Sequence, residues 1–120
     1  MAALPTGVGL GVIHIKLYSL VLDDYDQMET TPVQGKVIFK ALPDFLTHSG
    51  AGLIIPAWPV VAFLEDGEAT ITLMATDDID IKPVNWQYRV TFDLEGMDPA
   101  PVYISVPTGS ERNLSDIVGF

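Results

Sequence analysis

Apolar and polar residues alternate with period two at several places along this chain. Nowhere do apolar residues keep the three-and-four spacing that a helix face requires. Residues 86–94 alternate most cleanly. Trp86, Tyr88, Val90, Phe92 and Leu94 fall on one face, and Gln87, Arg89, Thr91 and Asp93 on the other. This predicts a strand of an antiparallel sheet with one dry side and one wet side. Residues 11–18 repeat the pattern, with Ile13, Ile15 and Leu17 set against His14, Lys16 and Tyr18, and Leu20, Val21 and Leu22 extend that strand or begin a second. Residues 35–41 give a short strand with Val37 and Phe39 on one face.

Between these runs the polar residues from Asp23 to Pro32 are expected to form a loop. Residues 43–52 are expected to form a longer connection that turns near Ser49 and Gly50. Leu53, Ile54 and Ile55 make a short strand that Pro56 ends. Residues 59–65 make another, which Asp66 and Gly67 turn back into residues 68–74. Asp-Gly between alternating runs is a hairpin signal, because the tight turn needs positive φ and Gly supplies it at little steric cost. On the returning strand Ala69, Ile71 and Leu73 face inward. Val102, Ile104 and Val106 share a face in a later strand, and residues 113–118 make one helical turn or a last short strand. Short strands about ten residues apart, punctuated by Gly and Pro, predict an all-β fold: a single antiparallel β-sandwich of about seven to eight short strands. A nearly apolar N-terminal arm, residues 1–11, precedes a sandwich domain over residues 12–120.

Composition sharpens this in two ways. The 120 residues carry a net charge of −10, and the pI is near 4.2. Such a surface repels phosphate backbones, so no nucleic-acid partner is expected. Yet 48% of the residues are hydrophobic and the mean hydropathy is +0.32, rich for an acidic domain. Either the β core is dense, or some apolar surface is buried between subunits. The charge-free residues 45–64 approach the ~20 residues of a membrane span. They contain His48, Gly50, Gly52, Pro56 and Pro59, however, so no membrane insertion is expected. The N-terminal apolar run lacks a preceding basic residue and is interrupted by Pro5, Gly7, Gly9 and Gly11, unlike a secretory signal. There is no cysteine, which removes disulfides and thiolate chemistry together.

Little in the chain reads as reactive chemistry. His14 falls mid-strand and His48 in a loop, neither at a metal-ligand spacing. No serine stands in a Gly-x-Ser-x-Gly elbow, so no catalytic residues are expected. Two acidic clusters, Asp23, Asp24 and Asp26, and Asp77, Asp78 and Asp80, have the Asp-x-Asp spacing from which calcium can draw oxygen ligands. Neither continues with the Gly and distal Glu of a calcium loop, and the alternative is a charged turn that blunts a sheet edge. Asp77, Asp78 and Asp80 are the stronger calcium candidates, and no other cofactor is expected. Trp86 is in register with four apolar residues and is expected in the core. Trp58, between Pro56 and Pro59, is open between a sugar-stacking platform and a subunit interface.

One resemblance spans residues 35–118. It runs from Gly35-x-Val37-x-Phe39 through Asp66-Gly67, Ala75-Thr76-Asp77-Asp78-x-Asp80 and Pro83-x-x-Trp86-x-Tyr88-x-Val90. It ends at Ile104-x-Val106-Pro107-x-Gly109 and Leu114-x-Asp116. In this order the motifs resemble a domain recurrent in minor tail proteins of actinobacteriophages. The resemblance implies a small sandwich, prealbumin-like or immunoglobulin-like, serving as a non-enzymatic structural or adhesion-associated module of the virion tail. It implies synthesis in the host cytoplasm and partners among other tail proteins. A homo-oligomer, a trimer or a higher symmetric assembly, is expected. Such a domain often precedes a longer fibre. With the chain ending at Phe120, a tail-tip or adaptor subunit is the expectation. The arm and the connection up to Trp58 are the expected contact regions, with Leu4, Val8, Leu10, Phe45, Leu53, Ile54 and Trp58 as interface residues. The alternatives are a module binding host-surface carbohydrate and a capsid decoration protein.

Overall fold

In the computed structural model, which describes residues 8–22, 28–50 and 52–118, alternation becomes sheet wherever the apolar face has something to cover it. The elements in chain order are β1 (Leu10–Lys16), β2 (Tyr18–Leu22), β3 (Met28–Pro32), β4 (Gly35–Ala41), β5 (Phe45–His48) and β6 (Leu53–Pro56). They continue as β7 (Val60–Phe63), β8 (Glu68–Met74), β9 (Ile81–Lys82), β10 (Tyr88–Leu94), β11 (Val102–Ile104) and β12 (Glu111–Asn113), closed by the short helix α1 (Leu114–Val118). The fold is all-β.

Seven of these strands form two larger sheets, ordered β12-β1-β8 and β11-β10-β4-β7. Ile13, Ile15, Ile71 and Leu73 of the first are buried in one cluster with Val37, Phe39, Val90, Phe92 and Ile104 of the second. Burying such side chains contributes about 1.5–3 kcal/mol each relative to leaving them in water. The Tyr88 hydroxyl reaches between the sheets and donates to the Met74 carbonyl at 2.9 Å. Burial raises the Tyr88 pKa well above the ordinary phenol value, so the donor keeps its proton. Trp86 is buried immediately before β10 rather than inside it.

The Asp66-Gly67 turn is present, with φ of 52° and 77°, and Glu65 and Glu68 exchange backbone hydrogen bonds of 2.9 and 3.0 Å. Its two arms then part. β7 pairs with β4 and β8 with β1, so the turn carries the chain from one sheet to the other instead of closing a long hairpin. One pairing, β1 with β12, is parallel, a departure from the purely antiparallel sandwich expected.

Three local expectations are corrected. Residues 28–32, expected as loop, form β3, which pairs along its length with β2. Their polar sequence has no inward face to announce a strand, since Met28, Glu29, Thr30 and Thr31 are all exposed. Residues 45–48, expected within a connection, form β5, which pairs with β6 and β9. Four residues are too few for alternation to stand out, although Leu46 and His48 do point inward. The arm boundary at residue 11 falls inside β1, where Leu10 stands opposite Met74 and Gly11 opposite Leu73. A Cβ on Gly11 would lie 2.4 Å from Val106 Cγ1, so this residue is packed into the sandwich.

Candidate functional site

The small sheet β6-β5-β9 carries the surface that departs most from an acidic exterior. Leu46 and His48 turn inward, so Phe45 and Thr47 turn out. Register places Pro56 opposite Phe45, and both Ile54 and Lys82 opposite Thr47. The outer face is therefore apolar apart from Thr47 and Lys82. Phe45 is 55%, Ile54 72% and Trp58 75% exposed, and Leu53 and Val60 are also exposed. No Asp, Glu, Lys or Arg occurs from residue 45 to residue 64 in a chain of net charge −10.

Beside this face lies an apolar pocket of about 250 Å³, whose lining includes Leu46, Ile55, Ala57, Trp58, Met74 and Trp86. It opens where two edge strands approach one another, with Val60 of β7 on one side and Thr72, Leu73 and Met74 of β8 on the other. The Trp86 ring meets the Tyr88 ring edge-on, centroids 4.6 Å apart. Among the described residues, Trp86 Nε1 is the one buried side-chain nitrogen or oxygen without a hydrogen-bond partner. Leaving such a donor unpaired costs about 1–3 kcal/mol.

The acidic loop is otherwise engaged. Asp77 Oδ1 accepts from both the backbone N–H and the hydroxyl of Thr108, at 3.0 and 2.7 Å. Asp78 accepts from the N–H of Gly9 at 3.0 Å and of Asp80 at 2.9 Å. These bonds hold the Asp78 carboxyl below the usual carboxylate pKa, Gly9 contributing most and the charge of nearby His48 least. Among the described residues no group of three or more His, Asp or Glu side chains is placed to hold a metal, so Asp77, Asp78 and Asp80 are not gathered as calcium ligands. They pin the entry to β1 and the residue 107–109 turn. Asp23, Asp24 and Asp26 lie outside the described residues.

No family model, no curated protein and no solved structure matches this chain.

Of the expected interface residues, Phe45 and Ile54 share the outer β5–β6 face with exposed Trp58 following β6, whereas Leu53, opposite inward-turned His48, is exposed on the other side of the sheet. Leu10 is 40% exposed on β1 of the first sheet, and Val8 is half-buried two residues before that strand. Leu4 lies outside the described residues. Sequence reasoning missed a polar row on that sheet's outer side. His14 Nε2 lies 2.7 Å from Glu111 Oε1 and His14 Nδ1 lies 3.1 Å from Thr70 Oγ1. The parallel β1–β12 pairing brings them together across 97 residues, which no local spacing announces. The order hydroxyl, imidazole, carboxylate has the form of a nucleophile with its base. It lies on an open strand face, with the His14 side chain 33% and the Glu111 side chain 68% exposed. There it fastens β12 to the sheet.

Proposed function

We propose that this protein is a non-enzymatic structural subunit of a bacteriophage tail, at the tail tip or as an adaptor, that assembles through the β5–β6 face. The observation that carries the reading is the apolar β5–β6 face, which bears no Asp or Glu, on a strongly acidic body. Exposed contiguous apolar surface rimmed by polar residues marks a contact surface, and tryptophan is enriched among the residues that anchor such contacts. Net charge opposes random association. Two acidic copies therefore approach most easily through residues 45–64, the longest stretch without Asp, Glu, Lys or Arg. The ordered motifs of residues 35–118, which resemble those of minor tail proteins, support placing that assembly in the virion tail.

Gold-labelled antibody against the protein, applied to purified particles and viewed by electron microscopy, tests this reading. Label at the distal tail is the expected result. Label on the head alone would instead indicate a capsid decoration protein, and unlabelled particles would end the virion reading. The exposed Trp58 beside an apolar pocket favours one second reading, binding of host-surface carbohydrate by ring stacking. A glycan array probed with and without a chelator tests it. Signal removed by Trp58→Ala would establish it, and an array without signal would remove it.

A further inference from the structure

We infer that the free edge of β8 pairs with the same edge of a second copy of this chain, antiparallel and across a two-fold axis at Ile71, so that two β12-β1-β8 sheets join into one. This rests on the subunit reading above and names the partner that meets the margin of the same face.

The two larger sheets end in β12, β8, β11 and β7, and among these edges β8 alone is unguarded. Short strands, charged side chains and proline are the devices that keep a sheet edge from pairing. β11 and β12 are three residues long, and β12 carries Glu111 and Arg112. β7 is four residues long and follows Pro59. β8 runs for seven residues, and from Ala69 to Thr76 the chain has neither a charged residue nor a proline. Its one acidic side chain, at its first position, is engaged within the same copy. Glu68 accepts from the Tyr18 hydroxyl at 2.8 Å and lies 3.9 Å from the Lys16 ammonium.

The backbone groups on that edge select the partner. Leu17 donates to the Gly67 carbonyl and Ala75 to the Gly9 carbonyl, both at 2.8 Å, at the two ends of the β1–β8 ladder. Bonded and unbonded partners alternate along an antiparallel pair. Ala69, Ile71 and Leu73 therefore bond to β1, and Glu68, Thr70, Thr72 and Met74 aim their N–H and C=O groups away from it. Glu68 exchanges bonds with Glu65, and the Met74 carbonyl accepts from the Tyr88 hydroxyl. Among the described residues nothing meets the N–H and C=O of Thr70 and Thr72.

About Ile71 these two residues complement themselves. The two-fold axis sets Thr70 opposite the partner's Thr72 and Thr72 opposite the partner's Thr70, and each pair exchanges both bonds. Facing threonines also favour pairing through their side chains. Glu68 then stands opposite the partner's Met74, so no carboxylate opposes another. A shift of two residues either way would set one threonine opposite Glu68 or Met74, whose carbonyls are already engaged. The same patch thus serves both copies, as a closed two-fold contact requires. Thr72, Leu73 and Met74 also form one wall of the pocket whose other wall includes Trp58, so the joined edges continue into the β5–β6 margin.

The test compares the full chain with Thr72→Pro by light scattering over a hundredfold range of concentration. The substitution removes an outward donor, at a position where an edge strand accepts proline, and circular dichroism verifies the fold. The full chain is expected to associate beyond its 13.0 kDa unit, and Thr72→Pro to associate at least tenfold more weakly. Cross-linking reads the register without disturbing the backbone. The chain has no cysteine, so Thr70→Cys and Thr72→Cys each carry a single thiol. Across the joined edges these positions face one another with Cα atoms about 5.5 Å apart, inside the ~7 Å limit for a disulfide. A mixture of the two variants treated with oxidised glutathione should therefore yield a disulfide-joined pair containing one of each, and either variant alone should yield at least tenfold less.

Association of folded Thr72→Pro equal to that of the full chain would overturn the inference, as would a mixture that cross-links no better than either variant alone. A full chain monomeric at every concentration would overturn the second-copy assignment and leave the edge to a strand of another protein. Failure here is separable from failure of the tail reading. Labelled tails with no mixed cross-link discard the edge pairing alone, and unlabelled particles with the mixed cross-link discard the virion reading alone.

Discussion

Asp78 shows how one side chain at the start of the fold does the work that a capping group does at the end of a helix. Its carboxylate accepts from the N–H groups of Gly9 and Asp80, and so ties the first strand to the loop after β8. Because these bonds favour the charged form, the folded-state pKa lies below the ordinary 3.8. The stabilisation is therefore complete above that ordinary value and is lost as pH falls through the lowered folded value. Asp78 is only half-buried, so screening by solvent holds the contribution to less than about 1 kcal/mol. Asp78→Asn is expected to lower the melting temperature slightly at pH 7. It should also flatten the decline of melting temperature below about pH 4, as measured by calorimetry from pH 7 to pH 2. An unchanged acid limb would show that the two bonds are not specific to the charged form. At Trp86 the residue scale looks different. Its burial follows from alternation, but its unpaired Nε1 is a property of the neighbours that alternation does not choose.

Among the elements, the Asp66-Gly67 turn and the β2–β3 ribbon mark the extremes of constraint. Gly67 sits at φ +77°, its carbonyl accepts from the Leu17 N–H at 2.8 Å, and an added Cβ would come within 2.5 Å of the Leu17 carbonyl oxygen. Gly96 has nearly the same φ, +80°, with open space around it. Gly96→Ala should therefore cost only the left-handed backbone term, about 1–2 kcal/mol. Gly67→Ala should cost clearly more, since the turn must also move off Leu17, and denaturant titration of the two variants separates these contributions. The β2–β3 ribbon has the opposite character. It belongs to neither large sheet, and Tyr18, Leu20, Met28, Glu29, Thr30 and Thr31 are exposed. A two-stranded ribbon without a covering layer is marginal in water. Its amides are expected to exchange with deuterium at least a hundredfold faster than those of β4 and β10, whose side chains include fully buried Val37, Phe39 and Val90. Equal protection in hydrogen-exchange mass spectrometry would mean that something covers the ribbon in solution.

At the scale of the whole molecule, charge and apolar surface are separated, and that separation governs association. The body carries −10, while residues 45–64 contain no Asp, Glu, Lys or Arg and expose Phe45, Ile54 and Trp58. Ile54→Asp is expected to reduce self-association at least tenfold by light scattering. Its melting temperature should stay within about 2 °C of the native chain's, because substitutions at exposed sites usually change stability by less than ~0.5 kcal/mol. In the native chain, raising salt from about 0.01 M to 0.15 M shortens the screening length from ~30 to ~8 Å. Association should strengthen accordingly, since apolar contact remains while repulsion between acidic bodies fades. Weaker association at higher salt would mean that ion pairs rather than apolar contact join the copies.

The amino-acid sequence by itself determined which residues face the interior. Ile13, Ile15, Val37, Phe39, Ile71, Leu73, Val90, Phe92 and Ile104 all follow from alternation, because side-chain direction in a strand has period two whatever its partner. It also located the Asp66-Gly67 turn, the all-β class and the charge-free stretch. Tertiary structure alone decided the partners, because backbone hydrogen bonds are the same for every sequence and carry no label for the strand that will accept them. Hence the parting of β7 from β8, the parallel docking of β12 on β1, and the strands β3 and β5, which were not legible as strands. For the same reason the pocket was invisible in the chain. Its walls come from residues 41 to 88, and they meet only when two edge strands of different sheets are brought side by side.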